Sequence, residues 1–553
     1  MTPTVKPPGN RILGWWEDRT GLPSAIAAFF EEEIPGSAGW HQVFGSIAVF
    51  AFMVQVFTGI LLSFNYAPTP GEAWNSVRYI MTELTGGAMI RGLHHWGASM
   101  MIVVVVLHMV QVFLWGAYKR PREGTWIVGV FLLLLTMAYG LTGYLLPWDN
   151  RAYWGTIVAT QIGASIPFAG QWVTRMIGAE NGIGVATFAR FYAIHVLVLP
   201  PTTMLLIALH VFLVRRHGVT PSPGDTLPKK KFFPDQVFKD TVAIFIAFVI
   251  LFTLAVAVRV PLERMADPTD TSYIPRPDWY FLFLFQMLKF FEGPMEVVGS
   301  VVLPTLAIAA LIAAPFIDRG VARRVRQRTV AFGVVAFAAL GWTGLTVAAI
   351  RSTPPSRSVD VTSIAGPEPW QQLTPITLAA AGYFQREHCT ECHTGNIKLG
   401  SGPLSNVSGK TAAELIDHFR NPGAKTVGGA VPQVHLTTAE ANGLALFFLK
   451  LTPAIATDVA AAPPFALEGA ILYQKNQCGA CHQVNGVGQK LGPVLNGLAE
   501  RRTRDWIEDH FVNPQKLSPG STMPTYKFAR EDMDRMTSYL MSLPSQPAPG
   551  QVQ

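Results

Sequence analysis

Four histidines in two hydrophobic stretches have the residue type and the spacing to hold metal. His94 and His108 are 14 residues apart in the first stretch, and His195 and His210 are 15 apart in the second. At about 100° and about 1.5 Å per helical residue, each pair lies on roughly one helix face, about 21–22 Å apart along the axis. That separation is too long for one metal ion. It suits two haems stacked through a membrane, each held by one histidine from each helix.

The alternative is that these histidines are ordinary core residues. A lone histidine in an apolar helix is more often a hydrogen-bonded core residue than a ligand. Matched pairs in two helices favour ligation, because ionisable side chains at membrane depth are costly and usually functional. Of the 553 residues, 50% are hydrophobic and 14% charged, against about 25% charged in soluble domains. This composition predicts a membrane protein with a polar appendage, and the net charge of +7 gives no reason to expect a nucleic-acid partner.

Seven apolar segments approach the about 20 residues that a spanning helix needs. They lie at residues 40–64, 92–116, 125–146, 188–214, 240–259, 297–317 and 329–350. Basic clusters follow the second, fourth and sixth segments, which places those loops on the cytoplasmic, or n, side. An odd number of spans then puts the chain beyond residue 352 on the opposite, or p, side. Residues 1–38 are amphipathic and are expected to lie on the membrane surface.

All four cysteines fall in two Cys-x-x-Cys-His motifs. The residues are Cys389, Cys392 and His393 in the first motif, and Cys478, Cys481 and His482 in the second. The pattern is typical of c-type haem attachment, with the histidine as an axial ligand. A zinc knuckle or a thioredoxin-like redox pair is the alternative, which two copies each followed by histidine disfavour. Haem c is attached outside the cytoplasm, in agreement with a p-side location.

The two motifs belong to an internal duplication that follows a proline-rich linker at 353–374. The sequence 415–422 resembles 506–514, which predicts two cytochrome c domains at 375–455 and 465–545. In the second domain, Met523 precedes a proline, as the sixth ligand does in small class I cytochromes c.

The first domain departs from this pattern, because Val431 stands in the methionine position. His435, four residues later, is the favoured replacement. His418 is less favoured, because its counterpart His510 lies in a domain that already has a methionine. A vacant or water-bound sixth position stays open.

Glycines and arginines near the four histidines are candidates for holding the same haems. The glycines are Gly45 and Gly59 in the first span, and Gly129 and Gly143 in the third. Each pair is 14 residues apart, which would let a flat macrocycle approach the backbone, although membrane glycines more often serve helix packing. Arg91, Arg190 and Arg215 could pair haem propionates, the alternative being interfacial snorkelling.

Two hydrophobic segments, 141–187 and 275–291, are irregular and would not span the membrane. The second places a carboxylate, Asp278, among Pro277, Trp279 and Tyr280 at the p-side end of the bundle. Aromatic interfacial segments are usually anchors. The embedded carboxylate instead favours a quinol pocket with a proton acceptor.

These motifs together resemble cytochrome b of the Rieske/cytochrome b complexes. The resemblance rests on the four histidines with their flanks, on 147–149 (Pro-Trp-Asp) and on 277–280 (Pro-Asp-Trp-Tyr). The 15-residue spacing and three later spans are similar to the short form, in which cytochrome b and subunit IV are separate chains. Here they would be fused, as a four-helix domain at 39–220 and a three-helix domain at 221–352. The implied fold class is all-α, a polytopic membrane bundle of seven transmembrane helices followed by two small class I cytochrome c domains.

The resemblance implies the core subunit of a quinol–cytochrome c reductase that runs a Q-cycle. It would carry two non-covalent haems b and two covalent haems c, and quinol would be oxidised beside Asp278, where the family has glutamate. One electron would pass to a Rieske iron–sulfur protein and then to the c haems. The Rieske protein would be a separate subunit, because all four cysteines of this chain lie in haem-attachment motifs. The other would cross to quinone on the n side. The alternative is a haem-bearing conduit or anchor subunit of another respiratory complex, without Rieske-dependent bifurcation.

The same resemblance implies the setting of the protein. It would be a multi-pass protein of the bacterial cytoplasmic membrane, in contact with lipid, with its cytochrome c domains on the extracytoplasmic side. A soluble or membrane cytochrome c or a terminal oxidase would accept its electrons. The complex would be a homodimer.

Overall fold

The computed structural model describes residues 11–180, 182–222, 225–268, 273–291, 293–320, 323, 325–352, 367–389, 393, 407, 409–422, 434–518 and 520–545. It divides into two compact units, Met1–Thr362 and Ser363–Gln553. The first contains the apolar segments and the second contains the two Cys-x-x-Cys-His motifs.

Within the described residues, seven helices are long and apolar enough to cross a membrane, as predicted. In chain order, spans 1 to 7 are Phe44–Ser63, Gly87–Leu114, Glu123–Tyr144, Val185–His217, Asp235–Ala257, Val298–Ile317 and Thr329–Ser352. A helix satisfies its own backbone hydrogen bonds, which makes it a stable spanning element where no water is present. Large apolar side chains cover the outer surface, among them Phe57, Leu205 and Phe337. Such a surface is stable when lipid covers it.

Span 4 contains a π-helical turn at Ile194–Val198, which includes His195. The N–H of Leu199 donates to the carbonyl of Ile194, five residues earlier. Pro200 and Pro201 follow, and neither has the N–H that a regular α-helical turn would use. A π-helical turn takes up one extra residue. The 15-residue spacing in span 4 therefore gives the same relative placement as 14 residues in span 2.

Shorter elements precede span 1 and connect the later spans. They are helices Arg11–Thr20, Leu22–Phe30, Ala73–Thr82, Asn150–Ala164, Gly170–Ile177 and Leu282–Leu288, and 3₁₀ turns Trp40–Gln42, Trp279–Phe281, Gly293–Met295 and Val325–Gln327. Among the described residues, the sheet consists of two short antiparallel strands, Glu33–Ile34 and Lys230–Lys231.

The basic loops meet at one end of the bundle. The strand pair joins the N-terminal segment to the loop after span 4. Arg122 Nη2 donates to the carbonyl of His217 (2.9 Å), which joins the loop after span 2 to the end of span 4. Lys119 Nζ donates to Asp318 Oδ1 (2.8 Å), which joins the same loop to the one after span 6. The segments that sequence assigned to one side of the membrane are thus together.

The loops after spans 1, 3 and 5 meet at the other end. Asp149 caps helix Asn150–Ala164 by accepting from the N–H of Ala152 (2.8 Å), and its second oxygen accepts from the N–H of Glu263 (3.2 Å). Trp74 Nε1 donates to the carbonyl of Glu263 (2.8 Å). Burial raises the pKa of the Asp149 carboxyl, and these backbone N–H donors oppose that shift. The Pro-Trp-Asp sequence therefore fastens the four-helix part of the chain to the three-helix part.

The second unit is a helical fold with one hydrophobic core shared by both predicted cytochrome c domains. Its helices are Pro375–Arg386, Ala412–Arg420, Thr438–Lys450, Pro453–Ala461, Pro464–Lys475, Leu498–Arg501, Arg504–Val512, Pro514–Leu517 and Arg530–Ser542, with 3₁₀ turns Pro369–Gln372 and Cys478–Ala480.

Close packing of the first helix of each repeat, Pro375–Arg386 and Pro464–Lys475, makes the two repeats one body. A Cβ at Gly382 would lie 2.8 Å from Ile471 Cδ1 and 3.2 Å from the carbonyl oxygen of Leu467, so a larger residue would force Ile471 to shift where these helices cross. Trp370 and Leu373 are buried in the same core. The last residues of the predicted linker 353–374 are therefore part of the folded unit.

Candidate haem and quinol sites

The four predicted histidines form two facing pairs between spans 2 and 4. The imidazole centroids of His94 and His195 are 6.4 Å apart, with their planes at 65°. Those of His108 and His210 are 6.5 Å apart, at 75°. In each pair, two imidazoles from different helices face each other at nearly the same distance. This arrangement allows one metal ion to be bound between the two rings. The chemistry of the donor set therefore suits haem iron at each pair.

A threonine orients each histidine of the first pair. Thr58 Oγ1 lies 2.9 Å from His94 Nδ1 and donates its own proton to the carbonyl of Val54 (2.6 Å). Because the hydroxyl proton is already used, the oxygen accepts from Nδ1–H. Thr142 makes the same bond to His195 (2.9 Å) and also donates to a carbonyl four residues earlier. Each imidazole then has an unprotonated Nε2, the form that binds metal.

The four predicted glycines each face one of these histidines. A Cβ would lie 3.7 Å from His108 Cε1 at Gly45, 3.3 Å from His94 Cε1 at Gly59, 3.3 Å from His210 Cε1 at Gly129 and 2.7 Å from His195 Cε1 at Gly143. From the sequence, these glycines were predicted to let the haem macrocycle approach the backbone. In the structure they leave room for the imidazole edge, which brings spans 1 and 3 against the histidine helices.

The three predicted propionate arginines all bind protein groups. Arg91 Nη1 donates to the carbonyl of Val260 (3.1 Å), and Arg190 Nη1 to that of Met176 (3.0 Å). Arg215 forms a 3.0 Å ion pair with Glu32. These contacts tie loops to the spans, and the role of the arginines toward haem stays a prediction.

The Pro277–Tyr280 sequence lies against spans 2 and 3. Trp279 Nε1 donates to Ser99 Oγ (3.3 Å), five residues after His94 in span 2. A Cβ at Gly140 would lie 3.1 Å from the Tyr280 ring, three residues before Gly143 in span 3. The motif therefore occupies the region next to the His94–His195 pair. The motif and this histidine pair were predicted from the sequence to lie at the same end of the bundle.

Asp278 has two side-chain partners, one of which sequence reasoning missed. Arg151, from the first helix after span 3, donates to Asp278 Oδ1. The Tyr280 hydroxyl donates to Oδ2 (3.3 Å), and the Arg151 guanidinium lies 5.8 Å from the Tyr144 ring centroid. Burial and the nearby Asp278 charge raise the pKa of Tyr280, so its phenol stays a donor. Arg151 could have been noticed in the sequence, because a charged residue two positions after Pro-Trp-Asp is unusual in an apolar segment expected on the p side.

The second cytochrome c repeat has the features of a haem c site. His482 Nδ1 lies 2.8 Å from the carbonyl of Pro493, which leaves Nε2 as the ligand atom. A Cβ at Gly492 would lie 2.6 Å from His482 Cε1, so this side of the ring requires glycine. Met523 packs half-buried against the same core, and Cys478 and Cys481 precede the histidine.

The first repeat is described in part. Cys392 and Val431 lie outside the described residues, whereas Cys389, His393, His418 and His435 are within them. The His393 ring faces His418, with centroids 5.9 Å apart and planes at 80°. The backbone N–H of His435, the residue favoured from sequence, donates to Glu387 Oε2 (2.8 Å).

Fold and sites together define a membrane electron-transport protein with b-type and c-type haem domains. Residues 31–218 match the family described as cytochrome b/b6/petB, residues 265–362 match cytochrome b(C-terminal)/b6/petD, and residues 466–544 match cytochrome c. Cytochrome b6 of Chlamydomonas reinhardtii is 37% identical over 211 residues, which are 38% of this chain and 98% of that protein. Cytochrome b6 of Gloeobacter violaceus is 36% identical over the same shares.

A solved structure agrees with these relationships. A chain of a hyperthermophilic respiratory Complex III superposes with a TM-score of 0.56 at 27% identity, covering 62% of this chain and 92% of that one. The chain belongs to the cytochrome b/b6 family, with the C-terminal, subunit IV part of cytochrome b and a cytochrome c domain in the same polypeptide. The family and the fold class predicted from the sequence are confirmed.

Proposed function

We propose that this chain is the core subunit of a quinol:cytochrome c oxidoreductase that runs a Q-cycle. Quinol is oxidised to quinone beside Asp278, releasing two protons and two electrons. One electron passes to a Rieske iron–sulfur protein and on to the fused cytochrome c domains. The other crosses the bundle and reduces quinone at the opposite end. When bound, the haems supply one-electron transfer at His94/His195, at His108/His210 and at the two Cys-x-x-Cys-His motifs.

The observation that supports this proposal best is the position of the Asp278 motif beside the His94–His195 pair. Trp279 contacts span 2 and Tyr280 contacts span 3 within about two turns of these histidines. Quinol oxidation needs a proton acceptor next to an electron acceptor, and Asp278 provides the carboxylate. Arg151 and Tyr280 hold that carboxylate from both oxygens, so it is positioned before substrate arrives.

We also propose a membrane location, an orientation and an electron acceptor for the complex. The chain lies in the bacterial cytoplasmic membrane with its cytochrome c domains on the extracytoplasmic side, and the complex is a homodimer surrounded by lipid. A soluble or membrane cytochrome c or a terminal oxidase accepts the electrons. The basic loops gathered at one end of the bundle support this orientation, since such loops face the cytoplasm. A separate Rieske subunit is required because all four cysteines lie in haem-attachment motifs.

The proposal is tested by measuring quinol oxidation in the purified complex with a short-chain quinol as substrate. Asp278→Asn should slow reduction of the c haems at least about tenfold, because general base catalysis contributes about 10²–10⁴ in rate. Haem content should be unchanged. Asp235→Asn, at the opposite end of span 5, is the matched control and should keep the wild-type rate.

Two results contradict the proposal. Wild-type turnover in Asp278→Asn would remove this carboxylate from the reaction. A fully haem-loaded complex that purifies without an iron–sulfur subunit and does not oxidise quinol would favour the conduit or anchor function instead.

A further inference from the structure

We propose that His418 is the sixth ligand of the haem c attached at Cys389 and Cys392. His393 is the fifth ligand by the motif itself. The His418 imidazole faces His393 with ring centroids 5.9 Å apart. This assignment depends on haem attachment at the first motif and is independent of the quinol chemistry proposed above.

The two membrane histidine pairs provide an internal comparison. Their centroid separations are 6.4 and 6.5 Å and their interplanar angles 65° and 75°. The His393–His418 pair, at 5.9 Å and 80°, repeats this geometry in an unrelated helical fold. The described residues thus include three facing imidazole pairs of one type, two of which are the predicted haem b sites.

Aromatic packing fixes both histidines of the third pair. Phe384 lies 6.3 Å from the His393 ring and 5.4 Å from Phe448. Phe448 in turn lies 6.2 Å from Phe419, the neighbour of His418. Residues from three helices therefore hold the two imidazoles opposite each other. The buried apolar surroundings are also what a haem face requires.

His435 takes part in a different arrangement. Its backbone N–H donates to Glu387 Oε2 (2.8 Å), and the other oxygen of Glu387 accepts from Arg386 Nε (2.8 Å). Glu387 is buried, so this bond anchors the chain just before helix Thr438–Lys450. The structure thus gives His435 a backbone contact that accounts for the position of its segment.

In the second repeat, the histidine equivalent to His418 is His510, and its surroundings differ from those of His418. Helices Ala412–Arg420 and Arg504–Val512 have the same length and are capped by Thr411 and Thr503, so His418 and His510 are equivalent. His510 stacks on Trp506 of its own helix, with centroids 4.6 Å apart and planes at 12°.

The first repeat has no aromatic ring at the position of Trp506. Glu414 stands there, and its carboxylate accepts from the N–H of Thr411 (2.8 Å). Within its own helix His418 has a tilted ring contact with Phe419, with centroids 6.2 Å apart and planes at 58°, in place of the parallel stacking of His510 on Trp506. In the second repeat Met523 is available as a ligand, whereas in the first repeat the helix histidine takes that place.

The assignment orders the two c haems by potential. Bis-histidine ligation lowers the potential of a haem relative to His/Met ligation. The first c haem should therefore have the lower potential of the two. Transfer of an electron from the first c haem to the second would therefore be favourable in free energy.

The test is low-temperature EPR and near-infrared magnetic circular dichroism of the purified full-length protein. Nearly perpendicular imidazole planes should give a strongly anisotropic low-spin signal. His418→Ala should remove one bis-histidine species, convert one haem c to high spin and recover low spin when imidazole is added. His418→Met should turn the same haem into a His/Met species with a higher midpoint potential. His435→Ala and His510→Ala are matched controls and should leave every ligand signal unchanged.

The opposite pattern overturns the assignment. Loss of a bis-histidine signal in His435→Ala, or its persistence in His418→Ala, would exclude His418 as the ligand. Pyridine haemochrome analysis reports whether haem c is still attached in each variant. If His418→Ala lost its haem, His418→Met would decide the question, since an unchanged near-infrared spectrum in that variant also excludes His418.

Discussion

Thr142 Oγ1 accepts a 2.9 Å hydrogen bond from Nδ1 of His195, because its own proton is donated to the carbonyl of Ala138. Thr58 and His94 repeat this relationship on the facing helix. Both imidazoles at this end of the bundle are therefore held in one tautomer. At the other end, His108 Nδ1 is buried and has no hydrogen-bond partner within the described part of the chain. The protein thus orients the two histidine pairs by different means.

The threonine contact predicts a selective effect of Thr142→Val. Valine keeps the shape of the side chain and removes the acceptor, so His195 loses the bond that fixes its ring. Loss of such an outer contact typically costs about 10–100-fold in metal affinity. Extractable haem b per polypeptide should fall, and the midpoint potential of one b haem should shift. Thr136→Val is the control, since Thr136 is buried on the same span and donates only to Leu132. Equal haem b content in both variants would contradict the prediction.

The four glycines that face histidines predict a graded series of alanine variants. The distance from the added Cβ to the imidazole is 2.7 Å at Gly143, 3.3 Å at Gly59 and Gly129, and 3.7 Å at Gly45. Haem b occupancy should fall most in Gly143→Ala and least in Gly45→Ala, as measured by extractable haem and by spectra of the b band. Gly124→Ala on span 3, with its nearest neighbour at 4.0 Å, should match the wild type. A series without this order would show that the glycines do not serve the histidines.

Arg151 is predicted to position the quinol-site carboxylate. Arg151→Met removes the donor to Asp278 Oδ1 and leaves only the Tyr280 contact, so the carboxylate loses its fixed orientation. The rate constant of quinol oxidation should drop several-fold with little change in haem content, and Arg151→Lys should recover part of it. Arg175→Met, which breaks an exposed ion pair, should have no effect. If the methionine variant oxidises quinol at the wild-type rate, Arg151 serves only to connect the loops.

The polar cluster around Asp318 is predicted to stabilise the junction of the two membrane parts. Asp318 accepts from Lys119 Nζ (2.8 Å), the Tyr118 hydroxyl (2.6 Å) and Arg328 Nη2 (2.6 Å). Lys119 and Arg328 are almost fully buried. Asp318→Asn would leave their charges without a counter-charge and should cost about 1–3 kcal/mol. On heating, the Asp318→Asn variant should lose its haem b absorbance at a lower temperature than the wild type does. Glu180→Gln, in an exposed pair, is the control and should shift it little.

The same cluster predicts a pH dependence. Burial raises the pKa of Asp318, but the hydrogen bonds from Lys119, Tyr118 and Arg328 outweigh it and hold the pKa below its ordinary value. A carboxyl with a lowered folded-state pKa stabilises the fold above about pH 4 and loses that contribution as the pH falls further. The stability difference between wild type and Asp318→Asn should therefore narrow in acid. A difference that is constant with pH would contradict this interpretation.

The membrane character, the spaced histidines and the two Cys-x-x-Cys-His motifs could all be predicted from the amino-acid sequence. These features depend on local properties, namely runs of apolar residues, fixed spacings along a helix and adjacent ligands in the chain. They can be read without knowing which segments meet. The seven spans were predicted for this reason. The partnership of His94 with His195 and of His108 with His210 was predicted from the matching spacings together with the alternation of basic loops, which sets the direction of each span.

Contacts between loop side chains far apart in the sequence became visible in the folded chain alone. Arg151 and Asp278 are 127 residues apart, and no local pattern pairs them. The π-helical turn around His195 shows how a 15-residue spacing matches one of 14. The proposal of His418 as a ligand rests on its ring facing that of His393, a contact that forms when two segments of the first repeat pack together. Contacts of this kind depend on packing among helices, which spacing along one chain cannot specify.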